Sequence, residues 1–266
     1  MEPRHFRHWP PDMPRSLRAP RIRLFDLLER AAKTNPGKTA SVFSGTRLTY
    51  GDLLEKVLNL AGHLQQACGV KRGDRVLLDM QNGHDFVVAC FAILRADAVV
   101  VPVSPMNLTE ELRHYIQDSD ARVAITEEDL AARFSGLPLD HLLMPKEIKT
   151  GLQPRPGLSQ PGDLCMMPYT SGSTGKPKGC MHTHATILHN VAGACAWKHI
   201  DENTVALATA PFFHVTGLVH SFLSAIHAGG TMAIQRRWDP LEAARDRKST
   251  RLNSSHIQKS RMPSSA

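Results

Sequence analysis

The chain has 266 residues, 42% of them hydrophobic, enough to bury a sizeable core in one large domain or two modest ones. Its formal charge of +7 sits at the two ends: residues 1–23 hold six basic and two acidic side chains, 247–266 five basic and no acidic ones, and the body 24–246 has 21 basic against 23 acidic. A near-neutral body argues against a nucleic-acid partner, no apolar run reaches the ~18 residues of a membrane span, and the arginine-containing N-terminus lacks the apolar segment of a secretory signal.

In chain order, residues 1–23 read as an extended arm, because Pro3, Pro10, Pro11, Pro14 and Pro20 forbid a regular helix. Apolar residues at helical spacing predict a helix over 24–33, stopped by Asn35-Pro36-Gly37. Strands are expected at 39–43 and 47–50 around a turn at 44–46. Thr49 and Asp52 form a cap signature before Leu53, Leu54, Val57, Leu58, Ala61 and Leu64, an amphipathic helix ending near Gly69. A strand at 75–80, an apolar helix at 86–96 and a continuously apolar strand at 98–103 follow, the last patterned for burial on both faces. Residues 109–117 read as a helix and 121–126 as a strand.

The proline- and glycine-rich stretch 136–163 reads as a connection between two structural halves. Beyond it the pattern predicts a strand at 164–167, a helix over 180–197, a strand at 204–209, a helix at 215–227 and a strand at 231–235. The alternation implies an α/β fold, a layered sheet with helix crossovers. Asp79, Asp85 and Asp97 fall at element ends, as caps or surface charges. Five widely spaced cysteines with no Cys-x-x-Cys pair fit reduced thiols in the cytoplasm and argue against zinc or a disulfide framework.

The richest segment is 170–179, Thr-Ser-Gly-Ser-Thr-Gly-Lys-Pro-Lys-Gly, with three glycines, four hydroxyl side chains and two lysines. Its glycines let backbone approach a ligand, and successive N–H groups can line a concavity that favours anions. A Walker A loop does not fit. Counted from Gly172 its second glycine would fall on Pro177, and counted from Gly175 on Cys180. His182, His184 and His189 are spaced too unevenly to share one helix face, so no metal site is expected there. Cys180 reads as a small filler.

Tyr169 together with 170–179 resembles the phosphate loop of the adenylate-forming (AMP-binding) superfamily. Residues 211–217, Pro-Phe-Phe-His-Val-Thr-Gly, resemble that superfamily's acyl-pocket motif. Residues 48–53, 73–76 and 92–103 are similar to fatty-acyl-CoA synthetases in particular. The resemblance covers 24–246.

It implies an N-terminal AMP-binding domain that, from ATP, Mg²⁺, coenzyme A and a medium- or long-chain fatty acid, forms an acyl-adenylate and then an acyl-CoA. Thr170, Ser171, Ser173 and Thr174 would donate to phosphate, and Gly172 and Gly175 would permit the wrap. Lys178 would set a cation by the leaving pyrophosphate, and His214 would stand at the mouth of the acyl pocket, with Phe212 and Phe213 packing. Lys176 is either a second phosphate cation or a solvated side chain.

Further superfamily motifs are not in this sequence: a Tyr-Gly-x-Thr-Glu segment, a ribose-binding aspartate, a hinge and a C-terminal lysine. The resemblance therefore implies an incomplete N-terminal domain, a truncated fragment that makes no acyl-CoA by itself. Residues 247–266 resemble translated sequencing-adapter tails, a non-native or disordered end. A peptide-synthetase adenylation domain and a non-catalytic phosphate- or nucleotide-binding remnant stay open as alternatives. Nothing in the sequence sets the oligomeric state.

Overall fold

The computed structural model describes residues 3–148, 151–170 and 175–241. The adapter-like end at 247–266 lies outside them, as do Ser171, Gly172, Ser173 and Thr174.

Helix α1 (Phe25–Thr34) buries Phe25, Leu27, Leu28 and Ala32 and ends at Asn35, before the expected proline. Strands β1 (Thr39–Phe43) and β2 (Thr46–Thr49) form the expected hairpin. In helix α2 (Tyr50–Gln66) the Thr49 hydroxyl accepts from the Asp52 N–H at 3.1 Å, the cap legible in the sequence. Strand β3 (Arg75–Asp79), helix α3 (His84–Arg95), strand β4 (Val99–Pro102), helix α4 (Thr109–Ser119) and strand β5 (Val123–Thr126) follow as a parallel crossover series.

Continuously apolar strands are explained by two cores on opposite faces. Val76, Leu78, Val100, Val123 and Ile125 face α1–α3 in the larger core, while Leu77, Val101 and Ala124 face α4 in the smaller. Successive strand residues point to opposite faces, so a strand covered on both sides has no polar position to spare.

The stretch 136–163 departs from the expectation of a bare connection. Strand β6 (His141–Leu143) pairs in parallel with β5 at the sheet edge. Residues 151–159 then run as a strap held by backbone bonds to side chains: the Gly151 N–H to Asn59 Oδ1 at 2.9 Å, and the Arg155 N–H to Gln65 Oε1 at 2.8 Å. Asp97 accepts from the Leu158 and Ser159 N–H groups at 2.8 and 3.0 Å. Asp97 is therefore buried and not a surface charge, and Asp79 is buried as well. Asp85 is exposed in the first turn of α3.

Strand β7 (Leu164–Met166) pairs with β4. It leads into a hairpin of β8 (Tyr169–Thr170) and β9 (Lys178–Gly179), and then β10 (His182–Thr183), antiparallel to β7. Helix α5 (His184–Lys198) starts only here, four residues later than expected, capped by Thr183. Strand β11 (Val205–Ala208), a π-helical segment Gly217–Leu223, helix α6 (Ser224–Ala228) and strand β12 (Thr231–Ile234) complete the described chain. The Ser224 hydroxyl donates to the Val219 carbonyl at 2.6 Å, inside the stretch expected as one plain helix.

The sheets are ordered β10-β7-β4-β3-β5-β6 and β11-β12-β1-β2. The arm is not wholly extended: Arg4–His8 forms a 3-10 helix, and Trp9 meets Trp197 of α5 edge-on at 5.6 Å.

Candidate functional site

Two loops carry the residues singled out by the sequence, and each follows the carboxyl end of a parallel strand. The first is the hairpin after β7. Tyr169 pairs with Gly179 and Thr170 with Lys178, so the two ends of the glycine-rich loop meet at its base. A Cβ on Gly179 would stand 2.8 Å from Met167 Cγ and 3.3 Å from Tyr169 Cζ, so a larger residue there would have to displace the Met167 side chain. The Cys180 N–H donates to the Pro168 carbonyl at 2.8 Å, below the pairing.

Thr170, Gly175, Lys176 and Lys178 are exposed. Neither lysine has a carboxylate partner among the described residues. A hydroxyl and two ammonium groups without carboxylate partners are donors available to an anion. The expectation of a loop running straight into a helix is corrected. Two strand segments, β9 and β10, stand between the loop and α5, so the first turn of the helix does not adjoin the loop.

The hairpin leans on α4. The Tyr169 hydroxyl donates to Asp118 Oδ2 at 2.6 Å, its ring lies 4.6 Å from that of Tyr115, and His114 Nε2 stands 2.8 Å from the Pro177 carbonyl. Burial, with Asp118 second, pushes the Tyr169 phenol well above its ordinary value.

The second loop follows β11. Phe212 is fully buried against Phe86 and Phe222, with ring centroids 5.5 and 5.3 Å away, and Phe213 is half-buried. Asn82, just before α3, is 4% exposed; its amide donates to the Ala210 carbonyl at 3.0 Å and accepts from the Phe212 N–H at 2.8 Å. A Cβ on Gly217 would sit 2.1 Å from the Pro211 carbonyl oxygen, so the loop folds back on itself only at glycine. His214 is exposed above this base, and its Nδ1 accepts from the Thr216 N–H at 3.3 Å. In the neutral ring the proton is therefore on Nε2.

Thr170, Gly175 and Lys178 thus share one hairpin, and His214 belongs to the other loop. Among the described residues no hydrogen bond or ion pair joins the two. The three histidines His182, His184 and His189 diverge. His182 is half-buried and His189 exposed, while His184 is buried with Nδ1 accepting from the Leu24 N–H at 3.1 Å. Burial pushes the His184 imidazole down to about 4. Cys180 is exposed, with Sγ 3.8 Å from Thr170 Oγ1, and is not a buried filler.

Sequence reasoning missed Asn82, His114, Asp118 and the pair below α4. There Arg133 meets the buried Asp79 at 2.9 Å, and Thr126 donates to the same oxygen at 3.2 Å. Burial raises the Asp79 carboxyl to about 6, with Arg133 opposing. Asp79 Oδ1 has no partner, which is why burial outweighs the ion pair. A cleft of 610 Å³ lined by Phe43, Asn82, His84, Glu127 and Arg236 opens behind Asn82 and includes neither the hairpin nor His214.

The profile of the AMP-binding enzyme family matches residues 28–254. Long-chain-fatty-acid–CoA ligase of Bacillus subtilis is 31% identical, over 88% of this chain and 50% of its own length. Phosphinothricin tripeptide synthetase PhsC of Streptomyces viridochromogenes is 33% identical, over 80% of this chain and 20% of its own. Among solved structures, a long-chain-fatty-acid CoA ligase of Rhodopseudomonas palustris superposes with a TM-score of 0.81 at 25% identity, covering 87% of this chain and 62% of that one. The chain spans no more than half the length of these two curated relatives.

Proposed function

The chain belongs to the AMP-binding enzyme family, and on that footing we propose that it serves the ATP-dependent activation of a medium- or long-chain fatty acid. In this reading a carboxylate oxygen attacks the α-phosphorus, pyrophosphate leaves with the electrons of the broken P–O bond, and the coenzyme A thiol later displaces AMP to give the thioester. The carrying observation is the hairpin base, which sets Thr170 opposite Lys178 with both side chains exposed and the ammonium unpaired.

Both reactants are anions, so the protein's first task is to neutralise and align them. Lys178 would place its charge at the departing pyrophosphate, and Thr170, Ser171, Ser173 and Thr174 would donate to phosphate oxygens. Gly172 and Gly175 would let the backbone close in, and Lys176 is a second candidate cation on the same rim. Mg²⁺ would arrive on the polyphosphate: among the described residues no cluster of three His, Cys, Asp or Glu side chains is placed to hold a metal ion. His214, with its outward Nε2–H, would meet the carboxylate at the acyl pocket.

The fatty-acid class is supported by the similarity to the Bacillus ligase. An aminoacyl substrate is the second reading, favoured by the comparable identity to the tripeptide synthetase. Five unpaired cysteines support a reducing, cytoplasmic setting. No described helix is long and apolar enough to cross a membrane.

The test is pyrophosphate release from ATP by a chain carried on to the relatives' full length, across fatty acids of graded length, an aromatic acid and amino acids. Release confined to fatty acids is expected. Release with amino acids alone would transfer the chain to the second reading, and γ-phosphate release would end the adenylation reading.

A further inference from the structure

The hairpin that carries the loop is held from outside by a single helix. On α4, Asp118 lies four residues after His114 and three after Tyr115, spacings at which side chains are neighbours on a helix surface. Asp118 accepts from the Tyr169 hydroxyl on the ascending strand, and Tyr115 stacks on the same ring. His114 Nε2 lies 2.8 Å from the Pro177 carbonyl on the descending side. A carbonyl only accepts, so His114 is the donor and carries its proton on Nε2. One helix thus touches both sides of the loop, at Tyr169, the residue before Thr170, and at Pro177, the residue before Lys178.

The grip has a firm base. Arg133 donates to the Pro105 and Asn107 carbonyls at 2.7 and 2.6 Å and pairs with buried Asp79, fixing the turn that enters α4. The Thr109 hydroxyl at the start of α4 donates back to the Arg133 carbonyl at 2.9 Å. Among the described residues the hairpin has two paired residues on each strand, and so short a ladder is marginal by itself.

We propose that His114 and Asp118 are positioning residues for the anion-binding loop. Together they fix Tyr169 and Pro177, and through them Thr170 and Lys178, each the next residue along the chain, so that both donors are presented to a polyphosphate. The inference rests on the proposed phosphate role of the loop. Neither residue touches the phosphate; each acts through the backbone or side chain it holds. His114 contributes through its Nε2–H, and Asp118 through the Tyr169 hydroxyl.

The experiment uses the full chain and two readouts. Hydrogen exchange at the amides of residues 169–180 in the free protein tests the grip itself. His114→Ala is expected to speed exchange there by about tenfold, and His114→Gln, whose amide can donate from nearly the same point, to restore it. Titration with inorganic pyrophosphate tests the consequence. His114→Ala and Tyr169→Phe are each expected to weaken binding by about tenfold, while His114→Gln stays near the parent. Lys178→Ala, with exchange unchanged, is expected to weaken binding too, which reports on the loop's phosphate role separately. Unchanged exchange in His114→Ala overturns the grip, whatever the titration shows. Faster exchange with no pyrophosphate binding by the parent chain overturns the phosphate reading of the loop and, with it, the positioning role. Loss in both His114→Ala and His114→Gln, with melting lowered in each, would make the residue structural and overturn the proposal as well.

Discussion

The two motif loops are built in opposite ways. Residues 211–217 are locked from inside: Phe212 lies in the aromatic core, Asn82 holds the backbone on both sides of Pro211, and Gly217 leaves no room for a Cβ. The hairpin at 169–179 is held from outside, by α4 through two hydrogen bonds and one stacked ring. In the proposed reading the wall that faces the acyl chain can be rigid, because the part of the ligand it contacts is apolar. A loop that must close around a polyanion needs exposed donors, and exposed donors cannot also be core. Four predictions would break or sharpen this contrast.

The largest effect is expected at Gly217. A Cβ there meets the Pro211 carbonyl at 2.1 Å, so Gly217→Ala should lose about 4 kcal/mol of stability, at the upper end of overpacking. Gly175 has open space beside it, and Gly175→Ala should lose only about 1 kcal/mol, from its backbone angle of +156°. Denaturant melts of both settle the matter, and equal losses would erase the difference between the loops.

Asn82→Ala comes next. It strands the Ala210 carbonyl and the Phe212 N–H in a buried setting, and two orphaned groups cost about 3 kcal/mol together. The same melts should show it. A loss below about 1 kcal/mol would mean that the aromatic packing alone holds the loop.

Asp79 tests the base of the hairpin's support through pH. Its folded value of about 6 lies above the unfolded 3.8, so between these values the folded state binds the extra proton. Asp79 therefore favours folding below about pH 4, and that advantage is lost as pH rises through 6, by up to ~3 kcal/mol. Asp79→Asn should flatten this part of the stability–pH curve. Stability that instead rises with pH in the parent, with the rise removed by the variant, would show that Arg133 dominates over burial.

The smallest effect on stability is expected at Lys178, exposed and without a carboxylate partner. Lys178→Ala should stay within about 0.5 kcal/mol of the parent. In a chain carried on to full length, it should slow single-turnover adenylation by about a hundredfold. A stability loss near that of Asn82→Ala would place the hairpin in the core after all.

Much of this was legible in the sequence. The α/β alternation, the cap at Thr49 and the doubly buried strand β4 all follow from local pattern. So do the two motifs, because each loop's own residues carry its chemistry: glycines for close approach, lysines for charge, a histidine beside apolar anchors. Strand β6 was not legible, since three residues hold no period, and its existence depends on an edge already made by β5. Nor were the strap at 151–159 and its acceptor Asp97. A carboxylate at a helix end reads as a cap until the tertiary structure brings the Leu158 and Ser159 N–H groups to it.

The sequence by itself determined which donors and charges the loops carry and that strand β4 is interior, because those properties reside in side-chain type and short-range order. Only the tertiary structure decided what holds the loops in place. His114 reaches Pro177 across 63 residues, Asn82 reaches Phe212 across 130, and Asp79 meets Arg133 across 54. A hydrogen bond of this kind is specified by where two strands and a helix come to rest, and no periodicity within a short window can encode a partner that distant. His114 and Asp118 look like two more polar residues on an amphipathic helix until the hairpin is folded against them.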